Sequence, residues 1–318
     1  MKRRTLMGAA VIGVATAAEP WGRLAHALRR GSRIDVDTAT ALTQRTEALH
    51  ISELSLSAQQ LRRQVENHLD AITAVLGQSG DHERALTITA GETAALAGWL
   101  AWDLGDHQAA GAYYRVTADC AEAAGHPPLR SLALTYASYG TNDPTRAIDM
   151  LTQAARDVRG PGNATAAAWI HARHAEASAQ AGQSGALRAL DRARVVYDYA
   201  EHTSEQAWVR FMTPARLDSL ILSVYGHLAH PDLTDTAEAA TRRLGRELSD
   251  VGVVILGDIA TALLRGGDAD QGVHVAREFT AAATARPNTM GRDRAESIAA
   301  LLPDTQRDLA EYLHQLAA

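Results

Sequence analysis

Four aromatic residues at matched spacing are the side chains of this sequence best placed to do chemistry. Trp99 and Trp102 stand three apart, and so do Tyr136 and Tyr139. Residues three apart on a helix share a face. If the two helices stack side by side, the four rings form a platform for an extended peptide or a flat ligand. Asp103 follows directly on the tryptophan pair and joins the candidate set. Polar groups come from AWIHARHAEASAQAG, residues 168–182, where His171, Arg173 and His174 are candidate ligand contacts. The His171/His174 and His227/His230 pairs each offer two nitrogens, but a metal site needs a third or fourth ligand from elsewhere. With no HExxH present, these histidines read as surface or groove residues, with His171 available for a polar contact inside the groove. Arg173 and Glu176 lie one turn apart and read as an exposed or half-buried ion pair.

Several kinds of chemistry are set aside by residue type. Lys2 is the only lysine, so neither a phosphate-binding loop nor a Schiff-base mechanism has an interior amine to use. Cys120 is the only cysteine, which rules out an intramolecular disulfide and a thiolate metal cluster. It lies in an alanine-rich run and reads as a small buried apolar residue. Gly160-Pro161-Gly162 has neither a preceding strand nor a third glycine, so a nucleotide loop is not expected there. No GxSxG motif appears, and no serine or cysteine can be paired with a base from sequence. Trp208-Val209-Arg210-Phe211 reads first as a packed helix start ahead of Pro214, and second as the edge of a ligand site. No cofactor and no metal are expected.

Helices must position these residues. With 46% hydrophobic and 21% charged residues the chain is globular. Alanine, leucine, arginine and glutamate dominate, and no sustained period-two alternation marks a strand. Breakers come in clusters at 77–80, 105–106, 125–128, 140–144, 160–162, 182–185, 230–231, 266–268 and 287. Turns near 105, 142, 182, 230 and 267 recur roughly every 37 to 48 residues, the spacing of stacked helix pairs. Aligning units on Ala110, Ala147 and Gly272 matches Tyr114 with Leu151 and Ala276, and Thr117 with Ala154 and Phe279. Gly98, Thr135 and Ala260 match twelve residues before the anchors. This small/large pattern is that of the tetratricopeptide repeat. It places Gly98 against Ala110 across a hairpin, with Tyr114 filling the wedge between hairpins and Tyr113 reaching an adjacent surface. The expected fold is all-α: a solenoid of about five hairpins over residues 31–318, closed by a C-terminal capping helix.

Residues 1–30 are expected to form a separate N-terminal apolar or helical segment. Lys2-Arg3-Arg4 precedes LMGAAVIGVATAA, which ends in small residues before Glu19-Pro20. Twin arginines and an Ala-x-Ala site suit a twin-arginine export signal. The run is too short for a permanent span, and it equally suits a docked helix.

RRTLMG at the start, AGWLAWDLGDHQAAGAYYRVTADCAEAAGHP, AWIHARHAEASAQAG, and ILGDIATALLRGGDADQGVHVAREF with the later GRDR together resemble one family. It is the repeat-containing region of actinobacterial regulators that begin with an Xre-type helix-turn-helix. The resemblance implies a regulatory or sensing protein holding a peptide, small molecule or partner protein in a concave groove, with no catalytic residues to carry over. In that family the Arg-Arg-apolar segment follows the DNA-binding domain and stays in the cytoplasm, so a cytoplasmic protein is expected, with export as the alternative. No helix-turn-helix precedes the segment in this sequence and the net charge is −6, so direct nucleic-acid binding is not expected. A homodimer is compatible with this reading. A tailoring enzyme of specialised metabolism on a repurposed repeat scaffold is the rival.

Overall fold

The computed structural model describes residues 36–318 other than 78, 202 and 246–248, so the N-terminal apolar segment and its export reading lie outside the described residues. These residues form fourteen α-helices and no strand. In order they are α1 (Val36–Ser52), α2 (Ala58–Leu76), α3 (Glu83–Asp103), α4 (His107–Ala124), α5 (Pro127–Tyr139), α6 (Pro144–Asp157) and α7 (Ala164–Gln180). Then follow α8 (Ala186–Tyr197), α9 (Pro214–Leu228), α10 (Leu233–Leu244), α11 (Asp250–Gly266), α12 (Ala269–Ala285), α13 (Thr289–Ala299) and α14 (Arg307–Ala317). No described helix is long and apolar enough to cross a membrane.

Local chemistry sets the helix ends. The Asp106 carboxylate accepts the Ala109 N–H at 3.0 Å and so starts α4. Gly105 before it turns the chain at φ +78°, a conformation that suits a residue without a Cβ. Asp143 and Thr213 cap α6 and α9, each of which opens on a proline whose missing N–H costs the first turn nothing. Ser57 and Gln60 form a reciprocal capping box at α2.

The turns near 105, 142, 182, 230 and 267 each separate two helices that pack on one another: α3 on α4, α5 on α6, α7 on α8, α9 on α10 and α11 on α12. The odd-numbered helices also meet along one side, α1 on α3, α3 on α5, α7 on α9, α9 on α11 and α11 on α13. All twelve positions aligned from sequence are buried, among them Ala110, Ala147, Leu151, Thr117, Ala154, Ala276 and Phe279. Tyr114 does bridge two pairs, its ring stacked on that of Tyr136 with centroids 5.2 Å apart. Gly98, expected against Ala110, has the tyrosine pair nearest to it: a Cβ there would lie 2.6 Å from the Tyr114 ring and 3.0 Å from the Tyr113 Cβ. The small residue is a hole for a large ring, which fills space better than two small residues facing each other.

The segment between α8 and α9 does not run straight from one helix to the next. The Glu205 carboxylate accepts the Thr165 N–H at the start of α7 at 2.8 Å, and Gln206 donates to Asn163 at 2.9 Å. The following 3₁₀ turn, Ala207–Val209, packs on α1. Trp208, Val209 and Met212 are buried, and the Trp208 indole lies beside Glu92 of α3. Polar contacts bind α1 to α2 and α3 nearby: Thr46 Oγ1 is 2.9 Å from both His68 Nε2 on α2 and Thr93 Oγ1 on α3, and buried His50 is 3.2 Å from the Glu92 carbonyl oxygen.

Candidate functional site

Each odd-numbered helix from α3 to α13 turns residues three or four apart toward one groove. From α3 come Trp99 and Asp103, from α5 Tyr136 and Tyr139, and from α7 Trp169, Arg173 and Glu176. Helix α9 supplies Arg216, Ser219 and Ser223, α11 supplies Val254, Asp258 and Arg265, and α13 supplies Met290 and Arg294. Two adjoining chambers result, and Tyr139 and Arg216 line both.

The first chamber, about 120 Å³, is aromatic. Trp99 stacks on Tyr136 at 5.6 Å, and Tyr136 meets the Trp169 ring edge-on at 5.3 Å. Phe211, from the segment between α8 and α9, closes on Trp169 at 5.0 Å. The Trp169 indole N–H donates to the Tyr139 hydroxyl at 3.1 Å, which fixes both rings. Tyr136 and Trp169 are themselves buried, so Trp99, Tyr139 and Phe211 are the rings of the set left partly open to a flat or apolar group. Glu53, in the turn after α1, and Asp103 bring carboxyls to the same chamber. Burial pushes the Glu53 carboxyl up to about 8, the Asp103 charge adds to this, and the Trp99 indole opposes it.

The second chamber, about 230 Å³, is a guanidinium cluster. Arg173 lies over the Tyr139 ring at 4.4 Å and donates to Glu176 at 2.8 Å and to the Ser138 carbonyl at 3.3 Å. Glu176 also accepts from Ser223 at 2.5 Å. Asp258 accepts from Arg216 at 3.0 Å, Ser219 at 2.8 Å and Arg294 at 2.9 Å. Burial alone would raise the Asp258 carboxyl, but the Arg294 and Arg216 charges and these hydrogen bonds outweigh it and hold the group below the usual range. Arg265 meets His227 at 3.3 Å. Four arginines therefore face two carboxylates, Glu176 and Asp258, which leaves a positive surplus in a chain of net charge −6.

Of the residues expected from sequence, the structure brings Trp99, Asp103, Tyr136 and Tyr139 to the aromatic chamber and Arg173 to the arginine chamber. Trp102 is not among them. Its ring meets that of His107 at a tilt, with centroids 4.3 Å apart, beside the start of α4. His171 and His174 are corrected likewise. Successive residues advance about 100° around a helix, so both lie across α7 from Arg173 and Glu176. They line a separate cavity of about 910 Å³ between α6, α7 and α8, with Arg156, Arg159, Arg192, Glu201 and the 160–162 loop. Burial, and then the Arg192 charge, hold both imidazoles below their usual value. His227 and His230 also part: His230 stacks on Tyr225 at 4.1 Å while His227 meets Arg265. Among the described residues no group of three or more His, Cys, Asp or Glu is placed to hold a metal ion. The Arg173–Glu176 pair is more deeply buried than expected, with 8% and 16% of the side chains exposed. Trp208–Phe211 is packed, as read, but overlaps the 3₁₀ turn instead of starting an α-helix; its two large rings divide, Trp208 into the core and Phe211 onto the aromatic chamber.

Sequence reasoning missed Glu53, Trp169, Arg216, Asp258, Arg265 and Arg294. One signal could have found three of them. The contacts Arg216–Asp258, Ser219–Asp258 and Arg294–Asp258 join residues 42, 39 and 36 positions apart, the period of the turns. Compared with known proteins, the chain matches no family model, no curated protein and no solved structure.

Proposed function

We propose that this is a regulatory or ligand-sensing protein, a tetratricopeptide-repeat-like array that works in the cytoplasm and holds a small molecule or peptide in its groove. Five packed helix pairs joined at recurring turns, and contacts one turn-period apart, support the repeat reading. The observation that carries the function is the adjoining pair of chambers sharing Tyr139 and Arg216. The ligand rests an apolar or aromatic part on the partly open rings of Trp99, Tyr139 and Phe211 and turns an anionic group toward Arg265, the arginine of the cluster with no carboxylate at hydrogen-bond distance among the described residues. Guanidinium groups suit carboxylates and phosphates because their donors match the fork of such oxygens.

Native mass spectrometry of protein purified from its own host tests this. The expected result is a bound small molecule or peptide that is lost from both Tyr139→Ala and Arg265→Ala. Protein that is always empty, or a ligand retained in both variants, overturns the reading. One observation favours the enzyme reading instead: a carboxyl held protonated near neutral pH beside a second carboxyl, Glu53 with Asp103, is an acid–base arrangement. Chemical conversion of the co-purified molecule by wild type, and its absence in Glu53→Gln, would decide for catalysis.

A further inference from the structure

The arginine chamber has room for more than one negative charge. Arg173, Arg216, Arg265 and Arg294 face Glu176 and Asp258 there, so two guanidinium charges go unanswered by the carboxylates that line it. We propose that the group this chamber takes is a dianion, the phosphate of a small organic phosphate monoester, whose apolar or aromatic part lies on Trp99, Tyr139 and Phe211. This rests on the groove reading above and names the class of ligand.

Depth, convergence and spare donors carry it. The side chains of Arg173, Glu176, Arg216, Asp258 and Arg294 are between 8% and 24% exposed, so salt screens their charges poorly and an uncompensated surplus is costly. His227, beside Arg265, adds no further charge near neutral pH, because burial and then the Arg265 charge hold its imidazole below the usual value. The guanidiniums also converge. Arg216 and Arg294 reach the same carboxylate, Asp258, at 3.0 and 2.9 Å, and the Glu176 charge acts on both Arg216 and Arg265. A cluster drawn together from α7, α9, α11 and α13 suits two charges on one compact group better than two at the ends of a chain. The hydroxyls of Ser219, Ser223, Thr261 and Ser297 already donate within the protein. Recognition therefore falls to the arginines. Arg294 gives its Nε–H to Asp258, Arg216 turns Nη1 to Asp258 and Ser219, and Arg265 meets His227. Each guanidinium has five N–H donors, so forks remain for the oxygens of a phosphate. Volumes of about 230 Å³ here and about 120 Å³ in the aromatic chamber are on the scale of a small molecule. Tyr139 and Arg216 line both, so a short ester bridges them.

Three probes sharing one ring isolate the second charge: phenyl phosphate, methyl phenyl phosphate and phenol. Full-length protein is titrated with each at about pH 8, by calorimetry and tryptophan fluorescence. The second ionisation of a phosphate monoester lies near about 6, so phenyl phosphate then carries two charges and its methyl ester one. Phenyl phosphate is expected to bind roughly tenfold tighter than the methyl ester, or more, and the methyl ester tighter than phenol. Arg265 makes no ion pair among the described residues, so Arg265→Ala should leave the helical circular dichroism unchanged. It should also remove most of the preference for phenyl phosphate. Arg192→Ala, in the separate cavity between α6, α7 and α8, should leave that preference as it is. If the two esters bind equally, or if the preference survives Arg265→Ala or is lost in Arg192→Ala, the dianion in this chamber is wrong. Equal binding of the two esters, lost from both in Tyr139→Ala, would leave the groove reading standing. If none of the three probes binds, both proposals fall.

Discussion

Replacing Gly226 by alanine should destabilise this protein, although the same change in a free helix stabilises it. Gly226 lies inside α9, where a Cβ would sit 2.6 Å from the carbonyl oxygen of Ala262, 2.9 Å from its Cα and 3.1 Å from its carbonyl carbon. All three are backbone atoms of α11, and no rotamer change can relieve them. Carbon contacts are comfortable at about 3.5–4 Å, so the two helices must part by something on the order of 0.5–1 Å. Overpacking of this kind costs about 1–3 kcal/mol, and a clash with backbone belongs at the upper end. Against that stands a gain of about 1 kcal/mol from alanine's helix propensity. The net expectation is a loss of about 2 kcal/mol. Gly111, inside α4, is the control: a Cβ there meets only the Arg115 guanidinium, at 3.7 Å. Gly111→Ala should raise stability by up to about 1 kcal/mol. Urea midpoints of the two variants should move in opposite directions at unchanged slope. If both move the same way, the close approach of α9 and α11 is not what the geometry says.

Stability should fall on both sides of mildly acidic pH. His50 is held down to about 4 by burial, so the unfolded chain takes up a proton that the folded chain refuses as pH drops from 6.5 toward 4, a loss of about 3 kcal/mol. Glu53 and Glu92, raised to about 8 and about 7, act in reverse, their contribution fading as pH rises above 4.5. Two glutamates outweigh one histidine above pH 4.5, so urea midpoints should be highest near pH 4.5 and fall toward pH 8, with Glu53→Gln and Glu92→Gln flattening that fall and exposing the acid-side loss from His50. Asp258→Asn leaves Arg216 and Arg294 without their shared carboxylate and should cost about 3 kcal/mol; adding Arg294→Ala should cost little more, which a double-mutant cycle reads. The Cys120 thiol, buried and pushed up to about 12, should resist a thiol reagent at pH 7.5 until urea unfolds the chain.

The helices were legible because their ends are written in short-range chemistry. Each glycine or proline cluster in the sequence marks a helix boundary, and Asp106, Asp143 and Thr213 cap helices as their types suggest. The turn at 53–57 carries neither glycine nor proline, and it went unseen, with it Glu53. The aromatic wall was half legible. Trp99 and Tyr136 follow from their matched offsets, whereas Trp102, about 100° around α3 from Asp103, turns to His107 instead of the groove. Angle around the helix decides, and it also separates His171 from Arg173: two residues advance about 200°, so they stand on opposite sides of α7 although the sequence reading grouped them. The arginine cluster was hidden for another reason. Apart from Arg173–Glu176, its ion pairs join separate helices, so Arg216, Asp258 and Arg294 each look alone like an ordinary surface charge.

The crossing of the segment between α8 and α9 onto α1 changes how the molecule can come apart. In a row of units that touch only their neighbours, stability is a sum of local terms, and the ends can fray without the middle noticing. Here the first described helix rests on the Ala207–Val209 turn, and that turn's own segment is pinned by Glu205 to the start of α7. Peeling α1 away would uncover Trp208 and Val209 in mid-chain, and loosening the mid-chain segment would remove α1's support. The row is thus knotted into a hoop in its mechanics, though not in its topology. End-fraying is converted into an all-or-none event that spreads from both sides at once, and trimming the chain from the front should shorten the cooperative unit far more than the number of residues removed.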